Sequence, residues 1–120
     1  MVCEVGADWT VASANETQSA FGFLEVGGTS AVANDHMAAV FSNATTFGLR
    51  SGAASDAGAA VDNAYHVWKI VVNSTNVTWY IDGTSQGTIA LQAELWPVSF
   101  FAHTLTTNRF NLGWVHIYYA

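Results

Sequence analysis

The chain has 120 residues, of which 51% are hydrophobic and only 10% charged, with a net charge of −6. Arg50, Lys69 and Arg109 are its three fixed cations. They form no basic stripe to neutralise phosphates, which argues against nucleic acid or an anionic membrane surface as a partner. A single cysteine, Cys3, excludes an internal disulfide framework and any multi-cysteine zinc or iron–sulfur site, and the length suits one domain with one core.

In chain order the apolar pattern predicts strands at Val2–Val5 and Trp9–Ala12, then Ala20–Val26, Met37–Phe41 and Thr46–Arg50. Ala53–Ala60 has alanine but no apolar stripe and is bracketed by Gly52 and Gly58, so it reads as a loop or a small-residue strand. Further strands follow at Ala64–Asn73, Val77–Ile81, Thr84–Leu91, Val98–Thr104 and Phe110–Tyr119. Trp68, Ile70 and Val72 share one side of a period-2 ribbon, as do Val77, Trp79 and Ile81, so both segments present an apolar face to one core. Tyr80 points the other way, and Trp114 reads as a further candidate for the core. Asp82-Gly83 supplies the positive φ that a two-residue hairpin turn needs.

Other turn-forming clusters are Gly27-Gly28-Thr29-Ser30, Ser42-Asn43, Asn73-Ser74-Thr75-Asn76 and Thr106-Thr107-Asn108. Many short strands at this spacing, without helical periodicity, predict an all-β, two-sheet antiparallel β-sandwich or jelly roll. The expected organisation is one domain over 1–120, with an N-terminal strand or arm at 1–19 and the sandwich core at 20–119. An N-terminal edge left open to a neighbour is a further expectation. The start of the chain lacks a basic segment and a long apolar run, and no stretch of about 18 apolar residues occurs, so the chain reads as soluble and without its own export signal.

The order Phe21-Gly22-Phe23-Leu24-Glu25-Val26, Met37-Ala38-Ala39-Val40-Phe41, His66-Val67-Trp68-Lys69-Ile70-Val71-Val72, Trp79-Tyr80-Ile81-Asp82-Gly83 and Leu112-Gly113-Trp114-Val115-His116-Ile117 resembles the concanavalin A-like lectin/glucanase sandwich. It resembles most the compact form found in bacteriophage virion proteins. The resemblance implies a concanavalin A-like jelly roll located at a virion surface, or otherwise soluble or extracellular. It further implies a capsid decoration or fibre component whose partners are copies of itself and a capsid or tail protein, with surface glycans as weak additional ligands.

Glucanases of this fold set two carboxylates on one strand so that alternate side chains enter one cleft. Here the nine acids are scattered singly. Glu25 is the most plausible member of a pair assembled from different strands. His36, His66, His103 and His116 do not stand at ligand spacing, and Asp35-His36 would point to opposite faces of a strand, so these two read as surface or hairpin-edge polar residues. No Gly-x-Ser-x-Gly elbow occurs, and the Gly27-Gly28 step lacks the lysine and helix of a phosphate loop. No catalytic residue, metal or cofactor is expected.

Aromatic side chains are the remaining resource. Tyr80 and Trp96, with Asn34, Asp35 and Arg109, are the candidate glycan-binding or partner-binding residues, because sugars stack on flat rings flanked by amides and charges. The alternative is that Tyr80 and Trp96 cover the second face of a small sandwich. Three functions therefore stand side by side: a non-enzymatic virion component, a free-standing carbohydrate-binding module or lectin, and a glycoside hydrolase using Glu25.

Overall fold

The computed structural model describes residues 1–11, 19–25, 27–29, 32–43, 45–92, 99–104 and 108–119. The strands are β1 (Val2–Thr10), β2 (Ser19–Leu24), β3 (His36–Ser42), β4 (Thr46–Ser51), β5 (Ala54–Ala60), β6 (Tyr65–Val72), β7 (Asn76–Ile81), β8 (Thr84–Ala90), β9 (Ser99–Thr104) and β10 (Arg109–Tyr118). A short 3-10 turn, Ala33–Asp35, leads into β3. Two five-stranded antiparallel sheets pack as a sandwich, the first ordered β10-β1-β6-β7-β8 and the second β5-β4-β3-β2-β9. The all-β sandwich expected from alternation is the fold observed.

The core lies between the sheets and is rich in rings. Trp9, Trp68 and Phe110 of the first sheet meet Phe21 and Phe47 of the second at centroid separations of 4.7–5.8 Å, mostly edge to face. Edge-to-face contact matches the positive ring edge to the negative face, adding to the area removed from water. Ile70, Val72, Val77 and Trp79 extend the same buried layer, as period-2 alternation in β6 and β7 requires. The Trp9 indole N–H donates to Ser19 Oγ at 2.6 Å inside this layer, so the ring carries its polar atom into the core with a partner.

The turns follow residue chemistry. Asp82 and Gly83 have φ of 49° and 82°, the two positive values of a type I′ hairpin between β7 and β8. Asn43 and Asn73 each accept, through Oδ1, the backbone N–H groups two and three residues ahead at 2.7–2.9 Å, which closes the β3–β4 and β6–β7 hairpins in the same way.

Three expectations change. Val2–Val5 and Trp9 belong to one unbroken strand, β1, because Gly6, Ala7 and Asp8 continue the ladder to β6 and β10. β1 is therefore an inner strand of the first sheet and not an open N-terminal edge. Of the two readings open for the alanine-rich segment, the strand is the one observed, with Ala54–Ala60 pairing with β4. His36 is fully buried beside Phe101, with ring centroids 5.0 Å apart, and is not a surface residue. It sits with Ala20, Leu24, Ala39, Phe41 and Phe101, a second buried cluster on the face of the second sheet away from the main core.

Candidate functional site

Alternation along β1 sends Cys3, Val5, Ala7 and Trp9 into the core and leaves Glu4, Gly6 and Asp8 on the outer face of the first sheet. The register places Trp114 of β10 opposite Gly6, Asn111 opposite Asp8, and Tyr65 of β6 opposite Asp8 from the other side. A side chain at Gly6 would run into both the Trp114 indole nitrogen and the Tyr65 hydroxyl, so the two rings converge over bare backbone. Glycine is required here for close approach. Tyr65 is 54% and Trp114 42% exposed, which makes them a wet aromatic pair with adjacent polar tips. Beside them Asp8 Oδ1 is buried without a hydrogen-bond partner among the described residues.

Sequence alternation suggested Trp114 for the core, and the structure corrects this. Phe110 and Leu112 pair with the inward Trp9 and Ala7, but Gly113 is an extra residue in a bulge between the Ala7–Leu112 and Gly6–Trp114 pairs. It reverses the parity of everything after it, so Trp114 faces outward and Val115 inward. The signal that finds this site in sequence is a glycine inside a strand opposite an aromatic residue, since glycine in a ladder marks a bulge or a close approach.

The residues singled out in the sequence do not converge. Asn34 and Asp35 lie in the 3-10 turn entering β3, where Asp35 Oδ2 accepts the Thr29 N–H at 2.8 Å. Tyr80 is on the outer face of the other sheet, in the row Tyr80, Lys69, Glu4, His116, with the Lys69 ammonium 5.5 Å from its ring centre. Arg109 opens β10 opposite Thr10. Three strand spacings and six residues of β1 separate its row from that of Tyr80, on the order of 25 Å. Trp96 lies outside the described residues. Glu25 follows β2, its N–H bonded to Asp35 O at 3.1 Å.

One polar cluster escaped the sequence reading. The β6–β7 register, with Trp68 opposite Ile81, brings Asp82 next to Val67 and so to His66. Asp82 Oδ2 lies 2.7 Å from His66 Nδ1, and both Asp62 oxygens lie 3.0 Å from Nε2. Asp82 Oδ1 also accepts the Val67 N–H at 2.8 Å. A carboxylate on each ring nitrogen favours the imidazolium form, in which both nitrogens donate. Partial burial alone depresses the His66 pKa, but the hydrogen bonds to Asp82 and Asp62 outweigh it and the net shift is upward. Asp62 is held low chiefly by its bond to His66, and Asp82 by the Val67 N–H and then by His66.

The cluster clamps the β7–β8 turn to the segment before β6. His66's contribution is complete below the unfolded histidine pKa and is lost as pH rises through its raised folded value. The two carboxylates contribute above the unfolded carboxylate range and lose this as pH falls through their lowered values. The clamp is therefore strongest between those limits. In an NMR titration His66 is expected to titrate above an ordinary histidine. Asp82→Asn keeps an acceptor for Val67 and tolerance of positive φ, yet is expected to lower the His66 midpoint. An unchanged midpoint would show that the carboxylate charge does not act on the ring.

The Cys3 thiol is fully buried, and burial, then the Glu4 charge, pushes its pKa up to about 12, so it remains an inert thiol. Among the described residues no group of three or more His, Cys, Asp or Glu side chains is arranged to hold a metal ion. No helix there is long and apolar enough to cross a membrane. Comparison with protein-family models, with curated proteins and with solved structures gives no match.

Proposed function

We propose that this chain is a non-enzymatic structural and adhesion component of a phage virion, a capsid decoration or fibre protein that works by contact with copies of itself and with a capsid or tail protein. The observation that carries the assembly part is the apolar flank at β10 and its surroundings, where Tyr65, Leu112, Trp114, Ile117 and Tyr119 are each more than two-fifths exposed. Apolar residues gathered on one flank of a chain with so few charges are what an interface core needs. The virion setting rests on the sequence resemblance described above. Immunogold labelling of purified phage particles whose genome encodes the chain is expected to decorate them in a regular pattern. Particles free of the protein would overturn the reading.

A second reading, a carbohydrate-binding module, is favoured by one observation: the Tyr65–Trp114 pair lies open beside Asp8 and Asn111, rings together with hydrogen-bonding groups. It predicts saturable glycan-array signals that Trp114→Ala removes. Because Trp114 is partly exposed, the same substitution is expected to change folding stability by only about 1 kcal/mol. Signals unaffected by the change, or absent, would eliminate this reading.

A further inference from the structure

We infer that β10 is a self-complementary docking strand, pairing antiparallel with β10 of a second copy about a two-fold axis at the Gly113–Trp114 step. The inference rests on the assembly reading above and names its partner.

The first ground is an uncapped core. Leu112 and Ile117 pair in register with Ala7 and Cys3, which are fully buried, yet they are themselves 48% and 44% exposed. Their inward-facing side chains run past the end of the layer they belong to. A neighbouring strand beyond β10 would complete that layer. Each side chain now left in water would then count toward an interface at roughly 25 cal/mol per Å² of apolar surface.

The second ground is the edge. β10 spans ten residues at the end of its sheet. Edge strands ordinarily avoid association by being short, by carrying lysine or proline, or by turning charges inward. The sequence Arg-Phe-Asn-Leu-Gly-Trp-Val-His-Ile-Tyr has no lysine, proline or acid, and its single fixed charge is at the first position. None of the nine acids responsible for the net charge of −6 lies on this strand, so like-charge repulsion is not concentrated at the contact. The Trp114 indole lies over Gly6 of β1 on the outer face, away from the backbone edge of β10 that has no strand beside it.

The third ground selects a second copy of this chain. Because of the Gly113 bulge, inward positions are Phe110, Leu112, Val115 and Ile117, and outward positions are Arg109, Asn111, Trp114, His116 and Tyr118. That order is a palindrome about the Gly113–Trp114 step. Antiparallel self-pairing there puts Leu112 against Val115, Phe110 against Ile117, Asn111 against His116 and Arg109 against Tyr118. Partners across a ladder share a face. In this register every inward apolar residue meets another, the whole strand is used, and each Trp114 meets the partner's glycine. A shift by one residue in either direction would oppose inward to outward positions. Such an interface is isologous, as a two-fold dimer requires.

Light scattering of the purified full chain at about 10 μM, a concentration sufficient for interfaces of standard size, is expected to give twice the 12.8 kDa monomer mass. Leu112→Lys has room for its longer chain in the monomer and is expected to raise the dimer dissociation constant at least about 100-fold with an unchanged circular dichroism spectrum. A second test does not depend on that variant folding. Oxidising a mixture of Asn111→Cys and His116→Cys chains should yield the mixed disulfide dimer, while Asn111→Cys alone should not crosslink, since the register places its two copies about 17 Å apart. The buried Cys3 thiol does not compete. A monomer at this concentration, or crosslinking of Asn111→Cys alone as fast as the mixture, would overturn the pairing. Regular decoration of particles by a chain that is monomeric alone would sink the pairing while leaving the virion reading intact, and a dimer absent from particles would do the reverse.

Discussion

Replacing Trp68 by alanine is expected to destabilise the fold by about 3–5 kcal/mol, the cost of emptying a large aromatic site in a core that relaxes only in part. A domain of this size has on the order of 5–15 kcal/mol in total, so the variant should be marginal or unfolded at 37 °C. The reason is position as well as size. Trp68 is fully buried on β6 and stands between the sheets, 4.7 Å from Phe47, 5.8 Å from Phe21 and 5.7 Å from Trp9 by ring centroids. Removing it takes away two cross-sheet ring contacts, to Phe47 and Phe21, and leaves Trp9 and Phe110 to bridge the sheets on this side of the core. Trp68→Phe is the informative comparison. The Trp68 indole nitrogen is buried without a hydrogen-bond partner among the described residues, so phenylalanine loses volume but strands no polar group. Trp9→Phe, by contrast, removes the donor to Ser19 Oγ. Urea unfolding should rank Trp68→Ala well below Trp68→Phe. A loss under about 1 kcal/mol for the alanine variant would mean that the ring cluster does not join the sheets.

Much of this architecture is visible in local pattern. Alternation in Tyr65–Val72 and Asn76–Ile81 gives the faces of β6 and β7 directly, and Asp82-Gly83 gives the turn that joins β7 to β8, because each depends on residues close in sequence. The position of β1 between β6 and β10 is not visible, since both pairings join residues more than fifty positions apart and nothing local selects them. Gly6-Ala7-Asp8 looks like a break for the same reason. Only when Trp114 and Tyr65 arrive from other strands does the glycine become a place where rings lie down. Ala54–Ala60 lacks large side chains, and as an edge strand against β4 it needs few.

The candidate site was less legible because it depends on parity. One inserted residue, Gly113, converts an inward series Phe110, Leu112, Trp114 into an inward Phe110 and Leu112 with an outward Trp114. A bulge leaves little trace in composition beyond the glycine itself. His66 between Asp62 and Asp82 is partly within reach: the hairpin register fixes Asp82 beside Val67, but Asp62 lies before β6, beyond Asn63 with its φ of 57°, where no strand register places it. Alternation puts Tyr80 on the outer face, and its ring there faces Lys69, not the turn that holds Asn34 and Asp35.

Gly22→Ala should be as damaging as loss of a core ring, at about 3 kcal/mol or more, although it adds a single methyl. Gly22 sits in β2 with φ of +144°, a region that side-chain-bearing residues rarely adopt. A Cβ built there would strike the Ala38 carbonyl oxygen and lie 2.7 Å from Ala39 Cα, both backbone atoms of β3. Neither can swing aside as a flexible side chain does. β2 is held between β3 and β9 and is buried along its whole length, so the strand has no free side toward which to shift. Relief must come from breaking the β2–β3 ladder beside the register shift at Phe23–Leu24. Gly27→Ala separates the two causes. Gly27 has φ of 76° but nothing within 4 Å of an added Cβ, so it should show conformational strain alone, about 1 kcal/mol. Equal losses in the two variants, measured by urea unfolding, would assign the Gly22 effect to backbone conformation and not to the close approach of β2 and β3.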